Sequence, residues 1–382
     1  MKVSVNATTL IIGGGIQLGV SFIEYATRNS NIEWQFLISE EIFSNLEMEL
    51  KNDPRIIVVK KSPAKIFQGY KSRIQIKCMI KKFIPDIIYS LGFPSYIVFK
   101  QTEMGHYTNP WEINPEPLPW QTIDGLINRL ITRLGILYRI MWARRANFIE
   151  TQTEAAKLGI SKRAHYSLDN IFVVPNSPNS IFVKQGEKIK DIGKLFEKEN
   201  NVFCLSAPYG HKNLDLIPFV ASKLKHDFKY QVKFILTIPP KSKLWIDILE
   251  KSNKLNVSEY IDNVGPLKLS DCIDFYKKSK IVFLPTLLEI FSATFLEAMA
   301  MKVPIITTNL EFAHDNCKNA ALFFNHGDAK HAASLIYEIS TNKALYLDQV
   351  ISGSKILNSY PSANNKYISL FKYFKRVVEN GK

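Results

Sequence analysis

Short apolar runs alternate with amphipathic stretches along the whole chain. Runs rich in β-branched and aromatic residues, bounded by turn residues, predict strands at 3–6, 34–39, 56–60, 86–90, 96–101 and 148–152. Apolar positions recurring every three or four residues predict helices at 17–27, 72–83 and 121–145. A second series of buried parallel strands is predicted at 202–206, 231–237, 281–284 and 304–307. The closing segment 365–378 has helical spacing of Tyr367, Leu370, Phe371 and Phe374. Alternating strand and helix along the chain means α/β layering on parallel sheets, here two Rossmann-like, doubly wound domains.

A chain of 382 residues exceeds what one hydrophobic core usually serves. The Pro- and Asn-rich stretch 173–180, followed by a charged segment 184–201 with room for one helix, marks the boundary. The expected division is therefore 1–180, completed by the closing helix at about 362–382, and 181–361. Two such domains face a cleft lined by the carboxyl ends of their strands, where ligands bind in doubly wound sheets.

Composition narrows the class. Apolar residues are 46% and charged ones 22%, the balance of a globular protein. The first fifteen residues lack a cleavage site, and no apolar run approaches the roughly 20 residues of a membrane helix, so a cytoplasmic protein is expected. Cys78, Cys204, Cys272 and Cys317 are far apart and argue against a disulfide framework or a zinc site. The net charge of +14 admits nucleic acid, an anionic membrane or a phosphate-bearing substrate. Nucleic acid is the weakest of these, because the basic residues occupy both halves without an aromatic-basic signature.

The most informative stretch, 281–309, reads IVFLPTLLEIFSATFLEAMAMKVPIITTN. It predicts a strand, a loop with Glu289, a helix starting near Ser292 that carries Glu297, and another strand. The amides of Ser292, Ala293 and Thr294 and the positive end of the helix dipole suit a diphosphate without a metal ion. Carboxylates such as Glu289 and Glu297 suit polyol ligands, whose hydroxyls donate to both oxygens.

This stretch resembles the family 4 glycosyltransferases, in which Glu, seven residues and Glu, then EAMA, a proline and an apolar strand mark the donor site. Residues 311–328, EFAHDNCKNAALFFNHGD, are similar to the following segment of capsule and exopolysaccharide enzymes. The resemblance implies the GT-B fold and a retaining transfer from a nucleotide sugar, a UDP- or GDP-sugar, with no cofactor and no metal. It implies that Glu289 contacts the donor sugar as a catalytic-site residue and Glu297 the ribose. It also implies that Lys212 in SAPYGHKN binds phosphate and that the backbone around Gly265 and Leu267 in VGPL holds the base. The acceptor would be a saccharide or a lipid-linked saccharide. His106 in MGHYTNPW resembles part of a loop in the same enzymes and would contact the sugar or orient the acceptor; a structural histidine is the other reading.

Gly13, Gly14 and Gly15 open a helix, either as a phosphate or acceptor loop or as a plain tight turn. No Asp-x-Asp pair occurs, which fits a diphosphate neutralised by lysine and a helix terminus. The predicted helix 121–145 carries Arg129, Arg133, Arg139, Arg144 and Arg145 among apolar residues, compatible with peripheral contact on an anionic membrane or with an ordinary helix having a solvated basic face. Departures from the family pattern fall at Ile290, Ser292 and Lys302, where glycines are usual, and at Ala207, where an arginine is usual. These keep open a catalytically degenerate relative. An NAD-dependent oxidoreductase is the second alternative, prompted by Gly13, Gly15, Gly19 and Glu40. That fingerprint, however, wants its glycines directly after the strand.

Overall fold

A computed structural model describes residues 1–65, 67–113 and 117–380. The chain forms two compact units. The first comprises Met1–Asn114, Leu126–Pro175 and Asn364–Lys382; the second comprises Pro115–Gly125 and Asn176–Ala363.

The first unit is built on seven strands: β1 (Lys2–Ala7), β2 (Glu33–Ile38), β3 (Ile56–Val58), β4 (Ile87–Ser90), β5 (Glu103–His106), β6 (Phe148–Thr151) and β7 (Ile171–Val173). Their order is β3-β2-β1-β4-β5-β6-β7, and all neighbours are parallel. Helices Gly14–Ala26 and Tyr70–Phe83 lie where the periodicity places them. The closing helix Ala363–Asn380 belongs to this unit, with Tyr367 edge-on to Phe22 at 5.6 Å and Phe371 against Trp34 at 5.3 Å.

Two expectations are corrected here. Residues 96–101 are not a strand: Tyr96 has φ +58°, and Ile97 is buried in a small cluster with Leu37, Val59, Ile76 and Ile88. The strand is the polar EMGH at 103–106 instead. Its buried Glu103 accepts from Ser90 Oγ at 2.5 Å. The helix expected at 121–145 begins only at Leu126, after Gly125 at φ +79°. A 3₁₀ turn, Leu118–Thr122, precedes it and groups with the second unit.

The second unit has six parallel strands: β8 (Asn201–Cys204), β9 (Lys233–Leu236), β10 (Ile261–Asn263), β11 (Ile281–Leu284), β12 (Ile305–Thr308) and β13 (Ala321–Phe324). Their order, β10-β9-β8-β11-β12-β13, is that of a doubly wound nucleotide-binding sheet. Every residue of β11 and β12 is buried, as central parallel strands covered on both faces require. Alternate residues serve opposite cores. Phe234 and Phe283 pack with Val220, Ile248 and Ile336, whereas Ile235 and Val282 pack with Tyr276, Phe295 and Met299.

Residues 184–201, read from sequence as a linker, carry the end of helix Ser180–Glu187 and a 3₁₀ turn at Gly193–Glu197. That helix lies so close to helix Ala293–Ala300 that a Cβ at Gly186 would stand 1.8 Å from the Ala300 carbonyl oxygen.

Candidate active site

In the second sheet the chain proceeds from β8 to β9 on one side and from β11 to β12 on the other, so the topological switch point lies between β8 and β11. Both loops that leave it carry a predicted site residue. The loop after β8 forms a 3₁₀ turn at Gly210–Lys212, and the loop after β11 carries Glu289. Lys212 Nζ donates to Glu289 Oε1, with the two side chains only 19% and 12% exposed. Two bonds to one carbonyl fuse the loops: Leu287 N donates to the His211 carbonyl at 2.7 Å, and Thr286 Oγ1 donates to the same oxygen at 3.4 Å. The turn also lies against the segment from the N-terminal half, since a Cβ at Gly210 would meet Thr122 Oγ1 at 3.0 Å. His211 stacks parallel to Tyr209 at 5.6 Å, and burial, reinforced by Lys212, pushes its imidazole down to about 4.

Beyond Glu289 the chain enters helix Ala293–Ala300, whose N-cap is Ser292. The serine side chain makes no cap bond, and the amides of Ala293 and Thr294 have no acceptor within the helix by its geometry. An anion is the natural partner for such amides. Glu297 sits one turn in, nearly buried, and accepts from the Tyr276 hydroxyl at 2.9 Å through Oε2. Burial pushes its carboxyl up to about 7, while the tyrosine bond opposes the rise.

Tyr276 comes from helix Leu269–Lys278, whose Cys272, Ile273 and Tyr276 form the buried face. Nothing in the sequence between them signals that pairing. Its only sign is that an aromatic at this helical spacing must bury its hydroxyl beside an acceptor.

The departures from the family pattern have structural answers. Ser292 has φ −99° and Ile290 is not left-handed, so neither position demands glycine. The Ile290 carbonyl accepts from Asn316 Nδ2 at 3.0 Å. Lys302 does occupy the left-handed region, at φ +56°, and its Nζ donates to the Ile189 carbonyl at 2.6 Å. The Ala207 carbonyl accepts from Tyr209 N at 2.8 Å within the turn that leads to Lys212.

Gly265 follows β10 with φ +76°, a conformation that favours glycine. Asn263 Oδ1 fixes this turn by accepting from Gly265 N at 3.3 Å and from Ile238 N at 3.1 Å, a role that the sequence did not announce. Leu267 packs against the core that contains Phe295 and Leu296.

The remaining predicted residues belong to the first unit. Gly13 is the N-cap of helix Gly14–Ala26 at φ +62°, and Gly14 and Gly15 form its first turn. Six residues separate this turn from the end of β1, unlike a dinucleotide fingerprint. His106 ends β5 with a side chain 3% exposed, and its Nδ1 pairs with Glu150 Oε2, which also accepts from the Tyr89 hydroxyl at 3.0 Å. The other ring nitrogen, Nε2, is buried and has no hydrogen-bond partner among the described residues.

Among the described residues no group of three or more His, Cys, Asp or Glu side chains is placed to hold a metal ion. No helix among them is long and apolar enough to cross a membrane.

Solved structures share this architecture. A glycosyltransferase from Rickettsia africae superposes with a TM-score of 0.71 over 99% of both chains at 15% identity. HepE of Anabaena, solved in complex with UDP-glucose, superposes with a TM-score of 0.71 over 98% of this chain and 100% of its own at 12% identity. Two doubly wound units of this kind define the GT-B glycosyltransferase fold.

In sequence, residues 185–355 match the family described as glycosyl transferases group 1. The capsular polysaccharide biosynthesis glycosyltransferase CapM of Staphylococcus aureus is 28% identical over 322 residues, 80% of this chain and 81% of CapM. These similarities support a glycosyltransferase, an enzyme of the hexosyltransferase kind, similar to those of the family 4 type. The oxidoreductase alternative is not favoured.

Proposed function

We propose that the enzyme transfers a sugar, with retention and without a metal ion, from a nucleoside diphosphate sugar to a saccharide or lipid-linked acceptor in polysaccharide or glycolipid assembly. The observation that carries this reading is the Lys212–Glu289 pair at the switch point, beside the uncapped start of helix Ala293–Ala300. On donor binding, Lys212 and the amides of Ser292, Ala293 and Thr294 take the diphosphate. Glu289, released from the lysine, accepts from the sugar hydroxyls. Glu297 accepts from the ribose, and the backbone at Gly265 and Leu267 meets the base. The bond from the anomeric carbon to the β-phosphate oxygen breaks while the acceptor oxygen bonds to the same face, and a diphosphate oxygen takes the acceptor proton.

UDP- and GDP-sugars are the donor candidates, a UDP-sugar being supported by the HepE complex. Gly13, Gly14 and Gly15 supply backbone amides for a phosphate or acceptor group in the first unit. The enzyme works in the cytoplasm, at the inner face of the membrane when its acceptor is lipid-linked, with helix Leu126–Ala143 as the element in contact.

Thermal unfolding of the purified protein with UDP-, GDP- and ADP-sugars, each with EDTA present, tests the reading. A donor at a hundredfold its Kd contributes about 2.7 kcal/mol and raises the melting temperature. One nucleotide sugar should do so in wild type and fail in Lys212→Ala. A response confined to NAD would overturn the proposal.

A further inference from the structure

The face of the first sheet that lies under helix Ala363–Asn380 is apolar over β1 and β2, where Val3, Val5, Trp34 and Phe36 share it. Over β4, β5 and β6 the same face turns polar. Tyr89, His106 and Glu150 stand on it, and His106 and Glu150 are direct partners in the β5–β6 register. Lys366, from the first turn of the helix, completes the group, with Glu150 as the charge that acts on it. All four residues are at most 6% exposed. Replacing a buried charged group by apolar residues of like volume is often neutral or stabilising, so stability alone does not account for this one.

The hydrogen bonds assign its protons. Glu150 Oε2 pairs with His106 Nδ1 and accepts from the Tyr89 hydroxyl at 3.0 Å. Burial pushes the Tyr89 and Tyr367 hydroxyls up, and Glu150 adds to the rise; burial pulls the Lys366 ammonium down, and Glu150 opposes it. An ionised carboxylate only accepts, so the imidazole proton belongs on Nδ1 and the lone pair on Nε2. Nε2 is buried without a partner among the described residues, and a hydrogen-bond donor is what it lacks. His106 is the last residue of β5, and ligands meet a doubly wound sheet at the carboxyl ends of its strands.

We propose that Glu150, held by Tyr89 and by Lys366 of the closing helix, is a positioning residue for the glycosyl transfer: it fixes His106 in the Nδ1–H tautomer, so that Nε2 accepts from a hydroxyl of the saccharide substrate. The proposal deepens, and rests on, the transfer reading above. It gives the end of the chain a part in the chemistry of the first unit, because the cation that keeps the buried carboxylate ionised comes from that helix.

Nuclear magnetic resonance of the full-length protein with isotopically labelled histidine reads the tautomer directly, His106→Gln identifying the signal among the seven histidines. Wild type should show Nδ1–H. Glu150→Gln, which still offers a carbonyl oxygen, should keep it. Lys366→Met, which removes the cation beside the carboxyl and favours its protonation, should switch His106 to Nε2–H. Nucleotide release from UDP-glucose and from GDP-mannose, with water as acceptor, gives kcat and KM on the same variants. Glu150→Leu should lower kcat about 10- to 100-fold while the donor KM stays within about threefold, and Glu150→Gln should recover most of the loss. An Nε2–H tautomer in wild type overturns the proposal, and so does a Glu150→Leu protein that keeps wild-type kcat or only melts earlier. Should Glu150→Leu fail to fold, the tautomer of Lys366→Met decides. If wild type releases nucleotide from neither donor while its tautomer follows the variants as expected, the positioning of His106 stands and the transfer reading falls.

Discussion

The Tyr276 hydroxyl donates to Glu297 Oε2 at 2.9 Å across two helices, and both side chains are nearly or wholly removed from solvent. The bond favours the ionised carboxylate against its burial.

Removing it gives the first prediction. In Tyr276→Phe the carboxyl of Glu297 rises above about 7, the protein loses about 1 kcal/mol of stability, and donor binding that needs the carboxylate moves to higher pH. Donor Kd measured against pH checks this. A profile that stays in place while the protein is merely less stable would assign the tyrosine a packing role only.

Glu297 also makes stability depend on pH with a definite sign. Its folded value of about 7 lies above the ordinary carboxylate value of 4.5, so its contribution is fully present below 4.5 and is lost as pH rises through 7. At about 1.4 kcal/mol per unit this amounts to roughly 3 kcal/mol. Melting curves of wild type minus Glu297→Gln should show that slope between those limits, with other titrating groups cancelling in the difference. A flat difference curve would sink the assignment.

Gly186→Ala places a methyl group against the Ala300 carbonyl oxygen, where backbone must move. A loss of about 3 kcal/mol is expected. Gly135→Ala in helix Leu126–Ala143, whose added carbon would meet only the Arg139 guanidinium at 3.5 Å, should instead be neutral or stabilising. Denaturant titration of both distinguishes close packing from a general intolerance of alanine.

Lys302 sets two terms of similar size against each other. The left-handed backbone costs about 1 kcal/mol, and the Nζ bond to the Ile189 carbonyl returns about the same. Lys302→Gly should therefore leave the melting temperature almost unchanged, whereas Lys302→Ala keeps the strain, loses the bond and falls by about 1 kcal/mol. Equal effects of the two substitutions would rule out this division.

The second unit was legible because its signals are local. A turn, an N-cap at Ser292 and a run of apolar residues lie within one short stretch, and the helix starts where they indicate. Residues 96–101 misled because β-branched and aromatic residues signal burial as much as strand, and Ile97 is buried in a loop. EMGH hid as a strand because its polar side chains are paired with Ser90 and Glu150, which lie elsewhere in the chain. Three-residue strands such as IDN at 261–263 carry too little pattern to read. Tyr276 with Glu297, and Thr122 against Gly210, are long-range pairings that no periodicity encodes. The exposure of the apolar residues on helix Leu126–Ala143 needed the fold as well, since their periodicity equally suits a core-facing helix.

The helix Ala363–Asn380 covers Phe22 and Trp34 with Tyr367 and Phe371, although most of the second unit lies between them in sequence. During synthesis, the first unit therefore waits for the whole second unit to be made before its aromatic cluster is sealed. The second unit, nearly contiguous in sequence, lacks that dependence. A nascent chain halted near residue 360 thus carries a completed second unit and a first unit with exposed aromatic surface, a natural target for chaperone holding until helix Ala363–Asn380 emerges.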